Sequence, residues 1–170
     1  GNNHDLQAYL DAGKTVIIDI SAVWCGYCWQ IHQSGILEEL YDLYGPEGTD
    51  ELMIFWNEAE GATISQIQGG SGSIGDWTNG GTNPVPIISS KQISPLFPEL
   101  TGYPTFYMIC PSGYYKNITQ VIRTSVEAVY EEVGTCPEAS NGPLAAINGP
   151  SGAYLGQERT YEAEVVSALP

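Results

Sequence analysis

The sequence predicts an α/β protein: a mixed central sheet flanked by helices, with a long insertion ahead of Pro104. Three observations carry this reading. An apolar, β-branched run at 15–20 is followed by a helix-periodic stretch and a second apolar run at 51–56, the strand, helix, strand order of a parallel pair with a right-handed crossover. Runs at 105–110 and 114–122, separated by Pro111-Ser112-Gly113, read as an antiparallel hairpin. Between the two halves, residues 57–99 carry a glycine-rich stretch at 69–81 with no periodicity.

In chain order, residues 5–13 place Leu6, Tyr9 and Leu10 on one helical face, with Asp5 at the start and Gly13 at the end. The run Thr-Val-Ile-Ile-Asp-Ile at 15–20 suits a strand buried on both faces, and Asp19 interrupts it. Ile31, Leu37, Leu40, Tyr41 and Tyr44 recur at roughly helical spacing until Gly45-Pro46, which predicts one long helix bent at Ser34-Gly35. The 57–99 insertion is expected to be irregular. Such loops are uncommon in compact domains unless functional or disordered, and Trp77 in its middle predicts that part of it is pinned down. Residues 125–133 close as a helix stopped by Gly134. Beyond Cys136 the composition turns to Pro, Gly, Ala and Asn, and strand-like alternation returns at 159–166. The expected organisation is a main domain over 1–138, then a linker and C-terminal extension over 139–170, whose last strand begins a following domain.

Composition removes several function classes. The chain has 170 residues and a formal charge of −15, and its five basic residues (Lys14, Lys91, Lys116, Arg123, Arg159) never cluster. No basic stripe exists to neutralise a phosphate backbone, so no nucleic-acid partner is expected. No apolar run is long enough to span a bilayer. The start Gly1-Asn2-Asn3-His4-Asp5 lacks the basic and apolar regions of a signal peptide, although a cleaved signal leaves no trace. Four cysteines are compatible with two disulfides in an oxidising compartment, reduced thiols being the alternative.

Cys25 and Cys28 fall where the first buried strand ends and the long helix begins, in Ala-Val-Trp-Cys-Gly-Tyr-Cys-Trp at 22–29. The free amides and positive end of a helix favour an anion there, and a thiolate is one. This spacing presents the first sulfur and holds the second one turn along, close enough to form a disulfide and to resolve a mixed disulfide. Cys25 is thus the expected nucleophile and Cys28 the resolving thiol. Gly26 and Tyr27 between them add no positive charge. The competing readings are an inert bridge or half of a zinc site. Zinc would need a second close ligand pair, whereas Cys110 and Cys136 are solitary and only His4 and His32 remain. Haem attachment would need His where Trp29 stands. Neither metal nor cofactor is expected.

The run Val-Ile-Ile-Asp-Ile-Ser-Ala-Val-Trp-Cys-Gly-Tyr-Cys at 16–28, with Gly-Tyr-Pro-Thr at 102–105, resembles the thioredoxin superfamily over residues 5–136. The resemblance implies a thioredoxin-like fold in which Asp19 is a buried acid assisting proton transfer from Cys28. It also implies a cis peptide bond before Pro104, facing the cysteines. Trp24, Gly26, Tyr27, Tyr103 and Pro104 would then contact the substrate, with the Tyr103 backbone pairing with an extended chain. The Cys-Gly-Tyr-Cys motif is similar to that of bacterial periplasmic disulfide isomerases. The sequence departs from the family pattern in three places. Gln33 stands where the family has proline, the basic companion of the buried acid is missing from 51–56, and the stretch before Pro104 is far longer. Without a cation, Asp19 is expected to have a raised pKa, which suits a proton carrier.

The expectation is therefore a protein thiol-disulfide oxidoreductase, periplasmic or secreted, working on protein disulfides or dithiols with a separate redox partner. Reductase, oxidase and isomerase directions share these residues. The rival is an extracellular binding or adhesion module on the same fold, recognising ligands through its insertion. Cys110 at a strand end and Cys136 after the last helix read as a structural disulfide tying helix to sheet, with free thiols as the alternative. His32 reads as an ordinary helix residue, and Asp19 has the alternative of a core carboxylate bonded to a hydroxyl.

Overall fold

A computed structural model describes residues 4–137 and the short strand Gly152–Tyr154. The predicted strand at 159–166 lies outside the described residues. The elements are α1 (Leu6–Asp11), β1 (Thr15–Ser21), α2 (Gly26–Ser34), α3 (Ile36–Tyr44), β2 (Leu52–Glu58), α4 (Ile64–Ile67), β3 (Ile87–Ser89), β4 (Thr105–Ile109), β5 (Tyr114–Asn117), α5 (Val126–Val133) and β6 (Gly152–Tyr154). They form an α/β architecture with a mixed sheet of order β3-β2-β1-β4-β5-β6. β1 pairs parallel with β2 and antiparallel with β4, and β2 pairs parallel with β3. β6, within the 139–170 stretch, adds an antiparallel edge strand to β5.

β1 and β2 are buried along their whole length, as their continuous apolar runs require when helices cover both faces. Alternation divides the core in two. Ile17, Ile54, Trp56, Phe106 and Met108 face α2, α3 and α5, together with Cys25, Cys28 and Trp77. Val16, Ile18, Ile20, Phe55 and Tyr107 face α1 and Phe97 on the other side. Among the described residues no helix is long and apolar enough to cross a membrane.

Four elements differ from the sequence expectation. The long helix is two helices, because Gly35 takes a left-handed conformation (φ 74°) that ends α2 and precedes α3. β2 runs on through Asn57 and Glu58, two residues past the apolar run. The insertion contributes β3 to the sheet and carries local bonds such as the Thr63/Gln66 capping box at α4. β5 stops at Asn117 rather than at 122. There the Asn117 side chain accepts the Thr119 amide, and the Thr119 hydroxyl accepts the Phe106 amide in place of a ladder bond.

Candidate active site

The site forms at the carboxyl end of β1, the end of parallel strands at which open α/β sheets bind ligands. Cys25 is the N-cap of α2: its backbone is extended, and its sulfur accepts the Cys28 amide at 3.2 Å. A helix start leaves such amides unpaired, and here one is aimed at sulfur. Cys25 and Cys28 are joined as a disulfide with Cα atoms 5.3 Å apart. The presented first sulfur expected from the motif is modest, since Cys25 retains only 5% exposure. Its neighbours carry the accessible surface instead, with Trp24 53% and Tyr27 70% exposed. The Trp24 indole donates to Glu60 at 2.8 Å and meets the Tyr103 ring edge-on at 6.2 Å. The Tyr103–Pro104 bond is cis, Pro104 is buried and Tyr103 half-buried. Gly26 opens α2 in open space, so no close neighbour requires glycine there. Beside Tyr27, a groove of about 590 Å³ runs between α2 and the start of α5, past Gln30, Ile31 and Arg123.

Below α2, four side chains share one sheet face by alternation. Asp19 lies opposite Trp56 in the parallel register, and Ser21 lies opposite Glu58. Asp19 is buried and accepts a hydrogen bond from the Ser21 hydroxyl at 2.5 Å. Burial pushes its pKa up to about 8; the Ser21 bond opposes the rise and the Glu38 charge adds to it. The residue across the register is a tryptophan and not a base, and among the described residues no Lys or Arg forms an ion pair with Asp19. Glu58 is also buried, its Oε2 accepting the Glu60 and Ala62 amides at 3.1 and 2.6 Å. No sequence signal beyond β2 alternation marked Glu58, because the apolar run stopped at Trp56.

The insertion is fastened to this region. Trp77, 1% exposed, stacks on Trp56 at 4.7 Å and packs against Trp29 at 5.0 Å and His32 at 5.2 Å. His32, read from the sequence as an ordinary helix residue, is buried on α2, its Nε2 3.2 Å from Asn79 Oδ1 and its Nδ1 3.5 Å from Glu38. Burial lowers its pKa against the opposing influence of Glu38, Asn79 and Asp76. Only its helical register relative to Cys25 hinted at this placement.

No family model matches the chain, and no curated protein is similar to it. Cys110 and Cys136 are joined by a second disulfide, with the Thr15 hydroxyl 3.6 Å from the Cys136 sulfur. That places it at the far end of β1, about 20 Å from the first for a seven-residue strand. The two bridges are thus separate features, one at each end of the same strand.

Proposed function

We propose that the chain is a protein thiol-disulfide oxidoreductase of the thioredoxin superfamily, exported to an oxidising compartment. The observation that carries this reading is Cys25 at the N-cap of α2, bridged to Cys28 and receiving the Cys28 amide, above a buried acid with a raised pKa. The same amide that bonds the sulfur would stabilise a thiolate in the reduced form. Trp24, Gly26, Tyr27, Tyr103 and Pro104 form the substrate-contacting rim. The Cys110–Cys136 bridge supports the oxidising compartment.

In the reducing direction the Cys25 thiolate attacks a substrate sulfur. One Cys25–substrate bond forms, and the other substrate sulfur leaves as a thiolate. Cys28 then gives its proton to the ionised form of Asp19, a minority of the folded chain below about pH 8, and attacks the Cys25 sulfur, so the internal disulfide forms and the second substrate thiolate is released. The two electrons come from the Cys25–Cys28 dithiol, which a dithiol partner must restore. Reversing the steps oxidises a substrate dithiol. The reduction potential selects the direction, about 30 mV corresponding to about 1.4 kcal/mol for this two-electron couple.

The test combines turnover with trapping. Wild type should reduce insulin disulfides or isomerise scrambled disulfides with a dithiol donor. Cys25→Ser should abolish that turnover, and Cys28→Ser should accumulate a mixed disulfide visible on a non-reducing gel. A wild-type protein that turns over no disulfide or dithiol substrate with any donor refutes the enzyme reading and leaves a binding module.

A further inference from the structure

Five large apolar side chains are well exposed among the described residues: Trp24, Tyr27, Leu43, Ile64 and Ile74. Two of them flank Cys25 in sequence. Ile74 comes from the insertion, yet its amide donates to the Val23 carbonyl at 3.1 Å, two residues before Cys25. The Ser73 hydroxyl lies 3.3 Å from the same carbonyl and accepts the Trp77 indole N–H at 3.1 Å. Gly75 sits close against Trp29, where an added Cβ would come within 2.3 Å of the ring. The main chain of 73–75 is therefore anchored on both sides of Ile74, while the Ile74 side chain stays 44% exposed.

We propose that Ile74 is a specificity-determining wall of the substrate site, so that this chain favours extended polypeptides carrying an apolar side chain beside the reacting cysteine. The inference deepens the thiol-disulfide reading and rests on it. Apolar surface held rigidly in water gains by being covered, with no ordering of its own backbone required on docking. Charge narrows the partner further. The chain carries −15 overall, and the Glu60 carboxylate holds Trp24 at the rim, so acidic flanks are disfavoured and neutral or basic ones accepted.

The test uses the reduced full chain and short peptides whose single cysteine is joined to a thionitrobenzoate, flanked by Leu, Ser or Glu. Cys25 attacks the peptide sulfur, the bond to the aromatic thiolate breaks, and the coloured thiolate is counted. Glutathione disulfide, which offers no apolar side chain, is the reference. Wild type should react about fivefold faster with the Leu peptide than with the Ser peptide, and slowest with the Glu peptide. Ile74→Ser should erase the Leu preference and leave the glutathione disulfide rate unchanged, whereas Ile74→Leu should keep both. A Leu preference that survives Ile74→Ser, or an equal slowing with glutathione disulfide, overturns the inference while leaving the exchange chemistry intact. Wild type that reacts with no disulfide overturns both readings.

Discussion

Replacing Asp19 by Asn isolates the thermodynamic cost of burying this acid. The Asn carbonyl can still accept the Ser21 hydroxyl, so the exchange removes the ionisation and little else. Below about pH 4 the folded and unfolded chains both carry the Asp19 proton. Between about pH 4 and about pH 8 the unfolded chain has lost it while the folded chain keeps it, so stability falls as pH rises. The slope reaches about 1.4 kcal/mol per pH unit, and across the window it bounds the loss at roughly 6 kcal/mol. Urea unfolding of oxidised wild type and Asp19→Asn at pH 4, 6 and 8.5 reads the difference directly, since the other acids titrate alike in both proteins. The variant should match wild type within about 1 kcal/mol at pH 4 and exceed it by several kcal/mol at pH 8.5. Parallel stability curves for the two proteins would refute a raised Asp19 pKa, and with it the case for a proton carrier at neutral pH.

Three other perturbations test the frame around the site. The Cys110→Ala/Cys136→Ala pair opens a bridge across 26 positions and should cost about 3 kcal/mol in urea unfolding without reductant. A loss below about 1 kcal/mol would mean that the bridge does not constrain the unfolded chain. Trp77→Ala removes the ring packed among Trp56, Trp29 and His32 and should cost about 3 to 5 kcal/mol, also by urea unfolding. A near-neutral result would show that the insertion is not anchored there. His32 should titrate below 6.5 by NMR, and Glu38→Gln, which removes a charge favouring the imidazolium, should move it lower still. Stability from this burial is present above pH 6.5 and is lost as pH falls, because the unfolded imidazole takes its proton first. A midpoint at or above 6.5 would contradict the burial of His32.

The local parts of the site were readable because their causes are local. Strand propensity at 15–20, a cysteine pair at the strand-to-helix junction and an acid inside an apolar run are facts about neighbours in sequence. They placed Cys25, Cys28 and Asp19 on consecutive elements before any contact was known. The expectation of a raised Asp19 pKa came from its apolar run together with the resemblance, which implies a basic companion within 51–56 where this chain has none. Pattern reading failed where one residue or one distant partner decides. A single backbone angle at Gly35 split the helix whose apolar spacing ran on across the break. β3 is three residues long, too short to show periodicity, and exists because the β2 edge offers it hydrogen bonds.

By itself, the sequence determined where β1, β2 and β4 fall, the Cys25–Cys28 spacing at a helix start and an acid inside an apolar run, since each depends on residues within a few positions. Tertiary structure alone decided that Trp56 stands opposite Asp19, that His32 and Trp77 lock the insertion onto α2, and that Ile74 is bonded beside the cysteine loop. Those pairings join residues tens of positions apart, and only the sheet register and the packing of the core bring them together.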